Sequence, residues 1–382
     1  MKTNLPTFAL ALAALLPALP ATGQVPDQLK HFIPAPPVGA QSGALLGRSV
    51  AVDGNYIVAG TPMTHLNDQS LGAVKVFDAT TGGRLFVLPA GLASNRGFGD
   101  AVAISGTRVV VGAPALNNEG QSGSVCVYDL SSATPAVPIL MLNSPAPGAN
   151  DAFGKSVAID GMRMVVGASL DDSGAVDAGR AYVYDLNSAT PTSPAVTLVN
   201  PSPGVSVRFG FSVAISATRV LVGAPYDNTG GGASGSAYVY DLGSGTPAVP
   251  AFTLTNPNPA YGAYFGYSVA ISGSRAAVGA PGDDSSGGDS GIAYVYDFSS
   301  GAPAPTVPVT ILNNPTPAAY DYFGWSVAVS GTQVLVGTPN DDTGAVNTGS
   351  AYVYDLITAP LPAREGDGGS VKVVQSLRDW CH

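Results

Sequence analysis

Between residues 209 and 255, apolar and polar positions alternate in four short runs. In "SVAIS" Val213 and Ile215 share a face, and "RVLVGAP" adds Val220 and Val222. "SAYVYDL" sets Tyr238 and Tyr240 on one side with Val239 on the other, and "AFTLT" follows after a Gly/Ser/Pro connection. A period of two over runs this short predicts strands. Only "SAT" separates the first two, which is hairpin length.

The same pattern occurs six times. Leu46-Gly47, Phe98-Gly99, Phe153-Gly154, Phe209-Gly210, Phe265-Gly266 and Phe323-Gly324 begin repeats spaced by 52, 55, 56, 56 and 58 residues. Fourteen residues into each stands Gly60, Gly112, Gly167, Gly223, Gly279 or Gly337. A "VFD" or "VYD" strand then closes at Asp78, Asp129, Asp185, Asp241, Asp297 or Asp355. Length varies mainly between one closing Asp and the next Phe-Gly, where a surface loop belongs. Four antiparallel strands repeated six times predict an all-β fold, a β-propeller of four-stranded blades, because one such sheet cannot bury both faces alone. Six blades are expected, with seven as the alternative. "QLKHFIPAPPVGA" matches "GGRLFVLPAGLAS" from Gly82 onward, so the expectation is that an N-terminal strand pairs with the last three and closes the ring. "GGSVKVV" resembles "LGAVKVF" at Leu71 and leaves residues 356–382 as a tail or a degenerate repeat. The propeller is expected over residues 24–355.

The first 23 residues read differently. "FALALAALLPALPATGQ" after Met1-Lys2 has the charged start, short apolar run and small residues of a secretory signal peptide cut before Gln24. Export follows, to periplasm, cell surface or medium. No second apolar segment suggests a membrane span once the leader is removed.

Composition supports turns and strands over helices, with 48 Gly and 32 Pro and only 11% charged residues. A net charge of −10, with 16 scattered Lys and Arg, argues against a nucleic-acid partner. Cys126 and Cys381 fit neither a disulfide framework nor a paired-cysteine zinc site, and Cys126 stands where later repeats place Tyr182 and Tyr238. It is expected to be a packed strand residue.

Phe-Gly followed at fixed distance by Gly-Ala-Pro and then a "YVYD" strand resembles the FG-GAP repeat of integrin α-subunit propellers and of many exported bacterial proteins. The resemblance runs from about Leu46 to Asp355. It implies a β-propeller, extracellular placement and a role in adhesion or partner binding. Integrin propellers usually have seven blades, and their calcium sites lie on an Asp-rich loop between the first two strands of a repeat. Here that connection is only "SGTR" at Ser105, "DGMR" at Asp160, "SATR" at Ser216, "SGSR" at Ser272 or "SGTQ" at Ser330, too short to wrap calcium. Those sites do not carry over.

Carboxylates recur four residues past the marker glycine instead: Asp171-Asp172, Asp227-Asn228, Asp283-Asp284 and Asp341-Asp342, with Asn117-Asn118 a weaker version. They predict a partial acidic ring on one face. Solvated tight turns account for them, since Asp bonds its own backbone; Ca2+ held by "DDSGAVDAG", "DDSSGGDSG" and "DDTGAVNTG" is the sharper alternative. Loops from the fourth strand reach the same face, with Tyr261 and Tyr264 in "NPNPAYGAYFG" and Tyr320 and Tyr322 in "NNPTPAAYDYFG". Rigid prolines and amphipathic tyrosines suit contact with a protein or a glycan. His31, His65 and His382 form no metal pair or triad. The function expected is an exported, monomeric binding or adhesion module rather than an enzyme. A carbohydrate hydrolase or lyase using the acidic face and a structural envelope component are the alternatives.

Overall fold

The computed structural model describes residues 45–63, 65–66, 69–70, 72–90, 97–115, 120–299, 305–343, 347–356 and 372–374. The leader, the expected N-terminal closing strand over 24–44, His31, His382, Cys381 and Asn117-Asn118 lie outside them. Every element among the described residues is a strand. The strands form six four-stranded antiparallel sheets, each built in chain order from the inside outward, as the blades of a propeller. A two-stranded hairpin, His65–Leu66 with Gln69–Ser70, interrupts the first blade.

The fourth blade shows how the sequence produces the unit. Ser212–Ser216 pairs with Arg219–Ala224, which pairs with Ser236–Asp241, which pairs with Phe252–Thr255. Its β-branched and aromatic residues fit a pleated surface buried on both faces. Leu221, Ala237, Val239 and Leu254 lie on the side that packs against Phe265, Ile271, Val278 and Tyr294 of blade five. The Phe of each repeat is fully buried from Phe98 onward and fills the space between neighbours.

Neighbouring blades also meet through backbone. A Cβ on Gly223 would collide with the carbonyl oxygen of Gly266, and the same holds for Gly60, Gly112, Gly167 and Gly279 against the following repeat. Only glycine admits that approach. Ser212 Oγ donates to the same Gly266 oxygen at 2.8 Å, and Ser49, Ser156 and Ser268 do likewise in their blades. The series stops at blade six, where the atoms closest to the corresponding position on Gly337 are those of Ser326 in its own blade. Val52 of blade one is 69% exposed, whereas its counterpart Ile215 is 8% exposed.

The fourth strand of blade six corrects one expectation. It is Lys372–Val374, pairing with Ala351, Tyr352 and Val353, and not an N-terminal strand. Ala351↔Val374 repeats the register of Ala237↔Leu254 in blade four, so the "KVV" run takes the vacant edge in sequence order. These residues belong to blade six rather than to a seventh repeat. Cys126 is a free thiol buried in the place of the later tyrosines, and burial pushes it up to about 11.

Candidate functional site: an aromatic face on blades four to six

The recurring Asp turns come first, because they look most like chemistry. Asp171, Asp227, Asp283 and Asp341 are buried. One carboxylate oxygen of each accepts the backbone N–H two residues on: Ser173 at 2.8 Å, Thr229 at 2.8 Å, Ser285 at 2.8 Å and Thr343 at 2.7 Å. The other oxygen accepts the hydroxyl of Tyr182 at 3.0 Å, of Tyr238 at 2.7 Å and of Tyr352, while in blade five it meets Asn258 Nδ2 at 3.5 Å. Burial first, and then the adjoining Asp171, pushes Tyr182 up to about 12. The second member of each pair is exposed and holds the far end of its loop. Asp172, Asn228, Asp284 and Asp342 accept from Asp177, Ala233, Asp289 and Asn347 at 2.9, 2.9, 2.6 and 2.6 Å. Each pair therefore staples a turn at both ends. Among the described residues no three His, Cys, Asp or Glu side chains gather as a metal cage.

The tyrosines lead to a different constellation. Each repeat enters its inner strand through a four-residue turn whose third residue is the glycine of the Phe-Gly pair, at φ +88° in Gly266 and Gly324. The N–H after that glycine bonds back to the carbonyl before the phenylalanine: Phe211 to Arg208 at 3.1 Å, Tyr267 to Tyr264 at 3.0 Å and Trp325 to Tyr322 at 3.0 Å. This turn brings the residue before Phe and the residue after Gly to one end of the blade. In the first three blades the residues after Gly are Arg48, Asp100 and Lys155, joined by ion pairs of 3.5 and 2.8 Å through Asp100. In the last three they are Phe211, Tyr267 and Trp325, whose ring centroids lie 4.9 and 4.7 Å apart in succession.

The aromatic half extends outward. Tyr226 meets Phe211 at 6.2 Å and Tyr264 at 5.2 Å, and Tyr322 meets Trp325 at 5.8 Å and Tyr320 at 6.4 Å. Arg208 lies 4.6 Å above the Tyr226 ring, within cation–π range. Tyr320 is 60% and Trp325 42% exposed, and Tyr261 stands almost free in solvent. Burial carries Tyr267 up to about 12, the nearby Arg48 charge opposing it. The structure thus gathers Tyr264, Tyr320 and Tyr322 into one patch. Phe211, Tyr226, Tyr267 and Trp325 belong to it and escape a search of the loops alone. The signal for Phe211, Tyr267 and Trp325 is the column after each Phe-Gly or Leu-Gly, which reads Arg, Asp, Lys, Phe, Tyr, Trp down the six repeats, whereas Tyr226 stands in the turn after Gly-Ala-Pro.

Backbone strain at this turn is shared by five of the six blades, Leu45 at φ +57° and Ala152 at +59° carrying it in blades one and three as well. The residue before Phe takes a left-handed conformation throughout, at φ +83° in Gly97 but also +54° in Arg208, +56° in Tyr264 and +57° in Tyr322. Bulky side chains there cost conformational energy that glycine avoids.

The FG-GAP repeat family matches residues 87–128, 146–184, 199–240, 252–296 and 314–354, together more than half of the chain. The chain belongs to the FG-GAP repeat family. No curated protein is similar enough to this FG-GAP protein to narrow the assignment further. Among its described residues no helix is long and apolar enough to cross a membrane.

Proposed function

We propose that this FG-GAP propeller is an exported binding module, and that its contact surface is the aromatic face of blades four to six. The observation that carries the proposal is a departure from symmetry. Six equivalent turns support six equivalent positions, yet only three blades place an aromatic residue after Phe-Gly. Two of those three also hold a tyrosine in a backbone conformation suited to glycine. Exposed Tyr and Trp give a large, rigid, amphipathic contact area at small entropic cost. The partner class is an extracellular protein or glycan.

Binding without turnover fits the Asp turns better than hydrolysis does. A glycosidase needs two carboxyl groups facing a shared cleft. Here Asp171, Asp227 and Asp341 have both oxygens engaged inside their own blades, and Asp283 has one oxygen held by its own turn and the other facing Asn258 of the neighbouring loop. Screening residues 24–382 against arrays of extracellular proteins and glycans tests the proposal. Saturable binding that is lost in Trp325→Ala and Tyr320→Ala is expected, with no product released from glycans. Binding unchanged in both variants would move the contact surface elsewhere.

A further inference from the structure

We infer that the ligand of this face is a neutral polysaccharide, an assignment that rests on reading the face as the contact surface. Three features point to it. The rings form an open platform, with Tyr320 and Trp325 presented to solvent. A pyranose offers a face of C–H bonds that stacks on such rings while its hydroxyls stay free to hydrogen-bond.

Polar groups stand on the loop that the platform's tyrosines pair with, Tyr320 N–H bonding Gly288 and Tyr322 N–H bonding Asp289. Asp289 accepts the Tyr322 N–H through its backbone carbonyl at 3.1 Å, and its charge helps to raise the Tyr264 and Tyr322 phenols, although burial is the larger cause for each. Asp284 is exposed beside it and accepts the Asp289 N–H at 2.6 Å. Asn258 donates to Ser285 Oγ at 2.8 Å on the same loop pair. Carboxylates accept strong hydrogen bonds from paired hydroxyls, and amides and hydroxyls complete the set.

Charge and repetition narrow the class. Among the described residues no Lys or Arg forms an ion pair with Asp284, Asp289 or Asp342. Beside Tyr320 and Tyr322 these carboxylates repel uronate and sulfated chains and favour neutral sugars, the Arg208 and Arg48 charges acting on Tyr226 and Tyr267 instead. Tyr264 and Tyr322 occupy equivalent positions in consecutive blades, so the platform recurs with the repeat. A polymer of identical units can engage successive copies and gain from multivalency.

The test is affinity electrophoresis of the full chain in gels containing soluble β-glucan, mannan, dextran or xylan, with alginate as the anionic control. Retardation by at least one neutral polymer and none by alginate is expected. The double variant Tyr320→Ala/Tyr322→Ala should weaken that binding about tenfold or more, while Val249→Ser, at a connection on the opposite end of blade four, retains it. Thermal melts confirm that both variants fold. No retardation by any neutral polymer, or undiminished retardation of the double variant, overturns the assignment. If no polymer binds but an arrayed protein binds wild type and not the double variant, the saccharide assignment fails and the contact surface stands. If the double variant binds an arrayed protein as wild type does, both fail.

Discussion

One backbone position in every repeat must be left-handed whatever residue stands there. Blade two meets the requirement with Gly97, whereas blades five and six hold Tyr264 and Tyr322 at φ +56° and +57°. Comparing two truncations isolates that cost, because both remove the ring and only one removes the Cβ. Tyr264→Gly should be more stable than Tyr264→Ala by about 1 kcal/mol, read from urea denaturation midpoints at equal slope. Equal stabilities would mean that the turn relaxes in solution. Nothing in a tyrosine codon announces a positive φ, so this strain was not legible in the sequence. The aromatic column beside it was legible, since aligning six repeats puts Phe211, Tyr267 and Trp325 under Arg48, Asp100 and Lys155.

At the scale of the turn, the paired carboxylates divide by burial. Asp227 accepts from Tyr238 and from its own loop inside blade four, so Asp227→Ala should cost about 3 kcal/mol by leaving a hydroxyl and an N–H unpartnered. Asp172, exposed and holding one N–H, should cost about 1 kcal/mol or less. Chemical denaturation of the two variants separates them, and comparable losses would contradict the staple. The sequence showed that these Asp pairs recur but not that the first member turns inward. The missing clue was the tyrosine eleven residues on, present at Tyr182, Tyr238, Tyr294 and Tyr352 and absent at Cys126. A related group titrates. Asp321 is buried in the loop before Phe323, where it accepts from Ala318 N–H at 2.7 Å and Asn314 Nδ2 at 2.8 Å while its other oxygen has no partner. Burial, reinforced by Asp341 and Asp342, holds its carboxyl above the ordinary aspartate range. Below that range folded and unfolded chains both keep the proton. As pH rises the unfolded chain releases it first, and stability falls until the folded-state value is passed. Asp321→Asn should therefore melt higher than the parent at about pH 7, with the difference closing toward about pH 3. A difference independent of pH would show that ionisation is not its cause.

Across the whole molecule, repetition made the architecture legible and its ends illegible. Five Phe-Gly pairs and one Leu-Gly, each followed at a fixed offset by a marker glycine, pointed to six blades ahead of seven, because strand length and hairpin length leave room for one sheet per repeat. The strand that completes blade six was harder to read. "KVV" is three residues, and both chain ends carry strand-like fragments, of which pattern favoured the longer N-terminal one. Its place follows only from the backbone register with Ala351, Tyr352 and Val353. The same repetition provides an internal control for the face of blade one. Val52 and Ile215 occupy equivalent positions on inner strands, yet Ile215 is packed between blades three and four while Val52 faces solvent. Ile215→Asp buries an unpaired charge and should cost about 4 kcal/mol or unfold the chain. Val52→Asp should change stability by no more than about 0.5 kcal/mol. Thermal melts of the pair decide the matter. If Val52→Asp proves nearly as damaging as Ile215→Asp, something covers that face in solution, and the blade-one side is an interface rather than an open surface.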